Sequence, residues 1–156
     1  MNNIAIFASG KGSNMVQITR KFEQFESISV RLVVASRASA GVLEHAKSLG
    51  VESVVFTKND LASPETLLAE LRARNIEWLV LAGWLLLLPA EIIEAYRGRI
   101  INVHPSLLPE FGGRGMFGHH VHEAVIAAGR TRSGITIHLV DEHYDQGSIL
   151  AQFECE

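Results

Sequence analysis

The segment Asn3-Ile4-Ala5-Ile6-Phe7-Ala8-Ser9-Gly10-Lys11-Gly12-Ser13-Asn14 sets the architecture. Asn3 to Ala8 is a short apolar, β-prone run. Ser9 to Asn14 reads as a loop, and Met15 to Phe25 carries apolar residues at helical spacing. The alternation then repeats. Ile28 to Ala35 is a strand rich in Val and Ile, Gly41 to Leu49 a helix that Gly50 can end, and Glu52 to Phe56 a third strand. Ser63-Pro64-Glu65 predicts a helix start, with Ser63 as N-cap and Pro64 in the first turn, running to Arg74. Trp78 to Ala82 is a strand, Pro89 to Tyr96 a helix and Arg99 to Val103 a strand. His119 to Ala128 is helical, and Ser133 to Asp141 and Ser148 to Glu154 are the last two strands.

Strands alternating with helices imply βαβ units and a mainly parallel sheet. Near-continuous apolar strands fit a sheet covered on both faces. The last two strands lie close in sequence and are expected to pair antiparallel at one side. No repeat, low-complexity tract or linker interrupts residues 1–156. The expected fold is a single α/β domain: a doubly wound, mainly parallel sheet with helices on both faces.

Composition narrows the function. The 156 residues carry 14 basic and 17 acidic side chains, a formal charge of −3. That balance argues against non-specific binding to nucleic acid or to an anionic membrane. With 47% hydrophobic and 20% charged residues, the chain is globular rather than disordered. A single cysteine, Cys155, excludes an intramolecular disulfide and a Cys-rich zinc module. Met1-Asn2-Asn3-Ile4 shows no basic region leading into a long apolar stretch. The longest apolar run, Trp78 to Ala90, is short for a membrane span and contains Gly83 and Pro89. A soluble cytoplasmic protein is expected.

Ligands of open parallel sheets bind beyond the carboxyl ends of the strands, and three segments fall there. Ser9 to Asn14 follows the first strand. Its glycines permit tight turns, and free N–H groups at the next helix start favour an anion, most plausibly a phosphate. It is neither GxxxxGK[ST] nor GxGxxG, because Met15 stands where the third glycine would be. An ordinary Gly-rich turn is the competing reading. The second segment is Asn102-Val103-His104-Pro105-Ser106-Leu107-Leu108-Pro109. Residues two apart in a strand face the same way, so Asn102 and His104 point together at the carboxyl edge. An amide beside an imidazole suits a developing oxyanion; a capping Asn and a structural His would look the same. The third segment, His138 to Gly147, joins the last two strands and holds Asp141, Glu142 and Asp145. Any of these carboxylates could orient His104, and spacing alone does not choose among them.

Two further features are weighed. His119-His120-Val121-His122 invites a metal, but it starts a helix and lacks an acidic or Cys partner at ligand spacing, so no metal is expected. Leu85-Leu86-Leu87-Leu88 is either plain core or the wall of an apolar slot, and composition favours core.

The three segments, in this order, resemble the phosphoribosylglycinamide formyltransferase family. Ser9 to Asn14 is similar to its phosphate loop, Leu81-Ala82-Gly83-Trp84 to its strand-four exit, and Asn102 to Pro109 to its NxHPSLLP signature. Asp145-Gln146-Gly147 and Ile149 to Gln152 resemble its DxG…I…Q segment. The resemblance covers essentially the whole chain. It implies a Rossmann-like formyltransferase fold and transfer of a formyl group from 10-formyltetrahydrofolate, a co-substrate, to the amine of glycinamide ribonucleotide. By position it implies Gly12, Ser13 and Asn14 at the ribonucleotide phosphate, and Asn102, His104 and Asp145 as the catalytic set. It implies a folate slot lined by Leu85, Leu86, Leu87, Leu88, Asn102, Val140 and Asp141, which turns the leucine run into a binding wall. Asp145 would favour the protonated form of His104 and help move the proton through water.

The chain departs from the family in places. Leu86 stands where a basic residue is frequent, and only Lys58 lies near a second basic position, so the resemblance does not fix the contacts to the folate's glutamate tail. Glu110 to Gly118 is longer and richer in Gly than in some relatives, with Arg114 as a candidate substrate contact. Rival readings are a formyltransferase acting on an amino sugar or aminoacyl-tRNA, a formyltetrahydrofolate hydrolase, and a non-catalytic folate- or nucleotide-binding module. Family members usually run through a further strand segment and a closing helix, so residues 1–156 are expected to lack that C-terminal portion. A protein that stops at Glu156 would leave one sheet face partly uncovered, and a homodimer or low stability would follow.

Overall fold

A computed structural model of the chain describes residues 1–113, 116, 119–142 and 147–155. Among the described residues, seven strands form one sheet: β1 (Asn2–Ala8), β2 (Ile28–Ala35), β3 (Glu52–Val55), β4 (Trp78–Leu81), β5 (Ile100–His104), β6 (Ser133–Leu139) and β7 (Ile149–Cys155). The helices that connect or flank them among the described residues are α1 (Ser13–Phe22), α2 (Val42–Ser48), α3 (Pro64–Ala73), α4 (Ala90–Ala95) and α5 (His119–Ala127). The strand order is β3-β2-β1-β4-β5-β6-β7. β1 to β5 pair in parallel, and β6 and β7 run antiparallel beside β5.

Strand alternation divides the core into two layers. Ala5, Phe7, Leu32, Val34, Leu79 and Leu81 face one way, against Leu67 and Leu71 of α3 and Ile92 and Ile93 of α4. Ile4, Ile6, Ala8, Val33, Ala35 and Val80 face the other, against Met15 of α1 and Val42 and Ala46 of α2. Both faces of the central strands β1, β2 and β4 are therefore covered, which explains why these strands read as unbroken apolar runs. Tyr96 closes the first layer: its hydroxyl donates to the Ile76 carbonyl at 3.0 Å, and burial pushes the phenol's pKa up.

The order matters for function. The chain winds from β1 outward to β3, then crosses back to lay β4 on the other side of β1. Connections leave β1 and β4 in opposite directions, which opens a crevice between their carboxyl ends.

Some element ends differ from expectation. α1 starts at Ser13, where the glycine-rich loop is expected to hand over to a helix, because Gly12 adopts a left-handed φ of 85° and turns the chain straight into it; the helix ends at Phe22 rather than Phe25. Ser63 makes no side-chain cap bond to α3. It also ends the 3-10 turn Asp60–Ala62, donating its N–H to Asp60 O at 3.1 Å, and that dual role sets its backbone. β6 stops at Leu139, two residues early, where Leu139 and Val140 turn their N–H groups to Ser148 O and Ile100 O. β7 pairs with β6 and leaves Ile149, Leu150 and Phe153 exposed. Among the described residues, no helix is long and apolar enough to cross a membrane.

Candidate active site

The loop after β1 lies at the crevice. Val16 donates to Gly12 O at 3.0 Å, closing the first turn of α1, and that helix carries no acidic residue in its first turn. The amides of Ser13 and Asn14 therefore belong to a helix start with no intrahelical acceptors, where an anion is favoured. Ser13 and Asn14 are exposed and Gly12 is half-buried. The other flank of the loop rests on α2: Val42 N–H donates to Gly10 O at 3.1 Å.

The exit of β4 forms the adjoining wall. Phe7 stacks edge-on against Trp84, with ring centroids 5.1 Å apart. Beyond Trp84 the four leucines separate by alternation. Leu85 and Leu87 are 46% and 58% exposed, Leu86 is half-buried against the core, and Leu88 is buried. Two of the four side chains thus present apolar surface outward, while the other two anchor the segment. Val140 packs on the same core layer from the far side, donating its N–H to Ile100 O at 2.9 Å, and Asp141 follows it half-buried. Lys58 sits in a turn fixed by Asp60. Backbone and hydroxyl hydrogen bonds from Thr57, at 2.8 and 2.9 Å, hold that carboxyl below its usual range.

β5 carries Asn102 and His104 to the same edge, one strand beyond the wall. Leu81 pairs with Asn102, and Phe7 pairs with Leu81. Two strand spacings, about 10 Å, separate the β1 loop from the β5 exit. His104 is 3% exposed, and its Nε2 lies 3.0 Å from Phe111 O. A carbonyl only accepts, so Nε2 carries the proton.

His138 is a site residue that the sequence reading did not single out. The antiparallel register sets it directly opposite Asn102. It is buried, and Nδ1 donates to Leu139 O at 2.9 Å. In the neutral ring Nε2 is then an acceptor, and it takes a hydrogen bond from Asn102 Nδ2 at 3.1 Å. This contact decides which way the Asn102 amide faces and leaves its second N–H unused by the pair. A protonated ring would present two donors and turn the amide oxygen inward instead. His138→Phe keeps the bulk and removes the acceptor. Turnover should fall, though by less than the ~100-fold floor for losing an oxyanion donor outright. Substrate KM values should stay nearly constant. Unchanged kcat would show that His138 does not orient Asn102. The only prior signal was its alternation within the Ser133 to Asp141 strand, which cannot reveal a partner 36 residues away.

The turn after His104 is clamped from β6 and β7. Thr136 is fully buried, and its hydroxyl donates to Ser106 O at 2.7 Å. The same oxygen accepts from Leu108 N–H at 2.9 Å and Gln152 Nε2 at 3.0 Å, while Gln152 also donates to Leu108 O at 2.9 Å. All three hydrogen-bonding positions of the hydroxyl are filled, which holds the exit of β5 rigid.

Asp145 and Arg114 lie outside the described residues. His119 and His122 have ring centroids 6.5 Å apart, and no three His, Cys, Asp or Glu side chains among the described residues could hold a metal ion.

Comparison with known proteins bears on the family and the fold. The family model described as Formyl transferase matches residues 2–156. The chloroplastic phosphoribosylglycinamide formyltransferase of Arabidopsis thaliana is 42% identical over 155 residues, covering 96% of this chain and 53% of that protein. The chain thus spans about half the length of that plant relative. The phosphoribosylglycinamide formyltransferase of Bacillus subtilis strain 168 is 38% identical, over 97% of this chain and 78% of that one. The crystal structure of the Streptococcus pneumoniae TIGR4 phosphoribosylglycinamide formyltransferase superposes with a TM-score of 0.86 at 36% identity, covering 99% of this chain and 82% of that chain. On sequence and on fold alike, the chain belongs to the formyl transferase family, among the phosphoribosylglycinamide formyltransferases.

Proposed function

We propose that this protein transfers the formyl group of 10-formyltetrahydrofolate to the amine of glycinamide ribonucleotide, a step of purine biosynthesis. The observation that carries the reading is convergence. An anion-favouring helix start, an apolar wall and an amide–imidazole pair open at the carboxyl ends of three adjacent strands, β1, β4 and β5. A ribonucleotide held by its phosphate at Gly12, Ser13 and Asn14 would extend across β4 toward β5. A folate against Leu85 and Leu87 would bring its formyl group to the same place.

The chemistry follows from the groups available. The substrate amine attacks the formyl carbon, and the carbonyl electron pair moves onto oxygen. The second N–H of Asn102 and the imidazole of His104 stabilise that oxyanion. When the intermediate collapses, the bond from the formyl carbon to the folate nitrogen breaks. The proton lost by the amine ends on that nitrogen, giving tetrahydrofolate. Asp145 is assigned to orient His104 and relay the proton. Handing Nε2–H of His104 to the oxyanion requires the Phe111 carbonyl to give way. The chemistry asks for no metal, because the formyl donor is already activated. The cytoplasm is the proposed setting for this reaction between two small, water-soluble substrates.

A spectrophotometric assay of 10-formyltetrahydrofolate, run with and without glycinamide ribonucleotide, tests the reading. Turnover that depends on the ribonucleotide supports it. Turnover without the ribonucleotide would make the protein a hydrolase, and no turnover would leave a binding module; either result overturns the proposal.

A further inference from the structure

One buried hydroxyl, that of Ser9, joins three loops at the sheet edge. Ser9 is 1% exposed and lies at the end of β1, where the phosphate loop begins. Its N–H donates to Gly83 O at 3.0 Å, and its Oγ accepts the N–H of Leu85 at 3.0 Å. Its carbonyl accepts from Arg37 Nε at 3.1 Å, and its Oγ accepts from Ser36 Oγ at 2.7 Å. The Gly83–Leu85 turn is thus tied to Ser9 at both ends, with Trp84 between. Gly83 itself has a left-handed φ of 79°, so the turn draws no support from regular strand geometry. The opposite side of the phosphate loop is fixed to α2 through Gly10 and Val42. A buried hydroxyl costs stability unless its bonds are made, and here two of them are made to other loops.

We propose that Ser9 is a positioning residue that couples the two substrate sites, holding the phosphate loop and the apolar wall in one mutual arrangement. The inference rests on the functional reading above for the identity of the two ligands. An anion drawn onto the amides of residues 12–14 orders the loop. Ser9 passes that order to the wall, so the second ligand meets a site that is already fixed. Coupling of this kind is reciprocal between the two ligands.

Trp84 is a built-in reporter, since Trp78 is the only other tryptophan. In a Trp78→Phe background, titration with inorganic phosphate should shift Trp84 emission, and Ser9→Ala should abolish the shift. With glycinamide ribonucleotide and tetrahydrofolate, a pair that cannot react, saturating either ligand should tighten the other about five-fold or more. In Ser9→Ala this factor should fall toward one, with each ligand's affinity measured alone changing much less. Ser36→Ala removes one of the four bonds and should give an intermediate factor, which keeps the test decisive if Ser9→Ala folds poorly. Full coupling retained in both variants would overturn the inference. So would silence of Trp84 toward phosphate, or a purely structural effect that lowers both affinities equally and spares the coupling. A protein that binds both ligands with Ser9-dependent coupling but never turns over would sink the proposed reaction and leave this inference standing.

Discussion

His104→Ala should slow formyl transfer by ~100- to 1,000-fold, with the KM of the ribonucleotide nearly unchanged, and Asn102→Ala should fall in the same range. The size follows from geometry. Both side chains end β5 at the carboxyl edge, and His104 is almost fully buried there. In such a water-poor site a donor aimed at the charge that appears on the formyl oxygen is worth far more than in water. The effect should sit in kcat because that oxygen is negative only in the transition state. Each single variant removes one member of a unit, so the double variant should be little worse than the more damaged single one. His104→Ala also deletes the bond to Phe111 O. Thermal unfolding therefore has to accompany the kinetics, and Asn102→Ala, which leaves that bond in place, is the cleaner probe. Near-full activity of either variant in the full-length protein would remove these residues from the catalytic set.

Gly12→Ala should be the most damaging substitution in the loop after β1. A Cβ at this position would lie 2.5 Å from Val42 Cγ2 and 2.8 Å from Val42 Cα. The second contact is with backbone, which no rotamer change relieves. The left-handed φ of 85° adds a cost of about 1–2 kcal/mol for any residue with a Cβ. Overpacking against Val42 adds about 1–3 kcal/mol. A chain of this size loses roughly 2–4 °C of Tm per kcal/mol, so calorimetry should record a drop of at least several degrees. The helix start must also move away from α2, which displaces the amides of Ser13 and Asn14. The KM for the ribonucleotide should rise while that for the folate changes less. A variant with unaltered Tm and unaltered ribonucleotide KM would show that the loop neither packs nor binds as described.

Much of this was legible before folding was considered. The run Asn3 to Asn14 contains its strand, turn and helix start in order, because backbone propensity and glycine freedom are local properties. Asn102 and His104 could be set on one side of a strand from their spacing alone. The leucine run was harder. Four identical residues have no periodicity to read, and only the observed backbone separates exposed Leu85 and Leu87 from buried Leu88. Ser63 was misread as a side-chain cap because a preceding 3-10 turn claims its backbone, and short turns of that kind leave little pattern in a sequence.

The amino-acid sequence by itself therefore determined the alternating α/β class, the glycine-rich turn that leads into α1 and the placement of Asn102 and His104 two apart at the end of β5. Each depends on residues within a few positions of one another. Tertiary structure alone decided that β4 lies against β1, that His138 faces Asn102 and meets its amide, and that Ser9 ties the loop after β1 to the Gly83–Leu85 turn. Those facts are set by hydrogen-bond register between segments 36 and 76 residues apart. Which strands pair is chosen by the burial of both sheet faces together, and no local pattern encodes that choice.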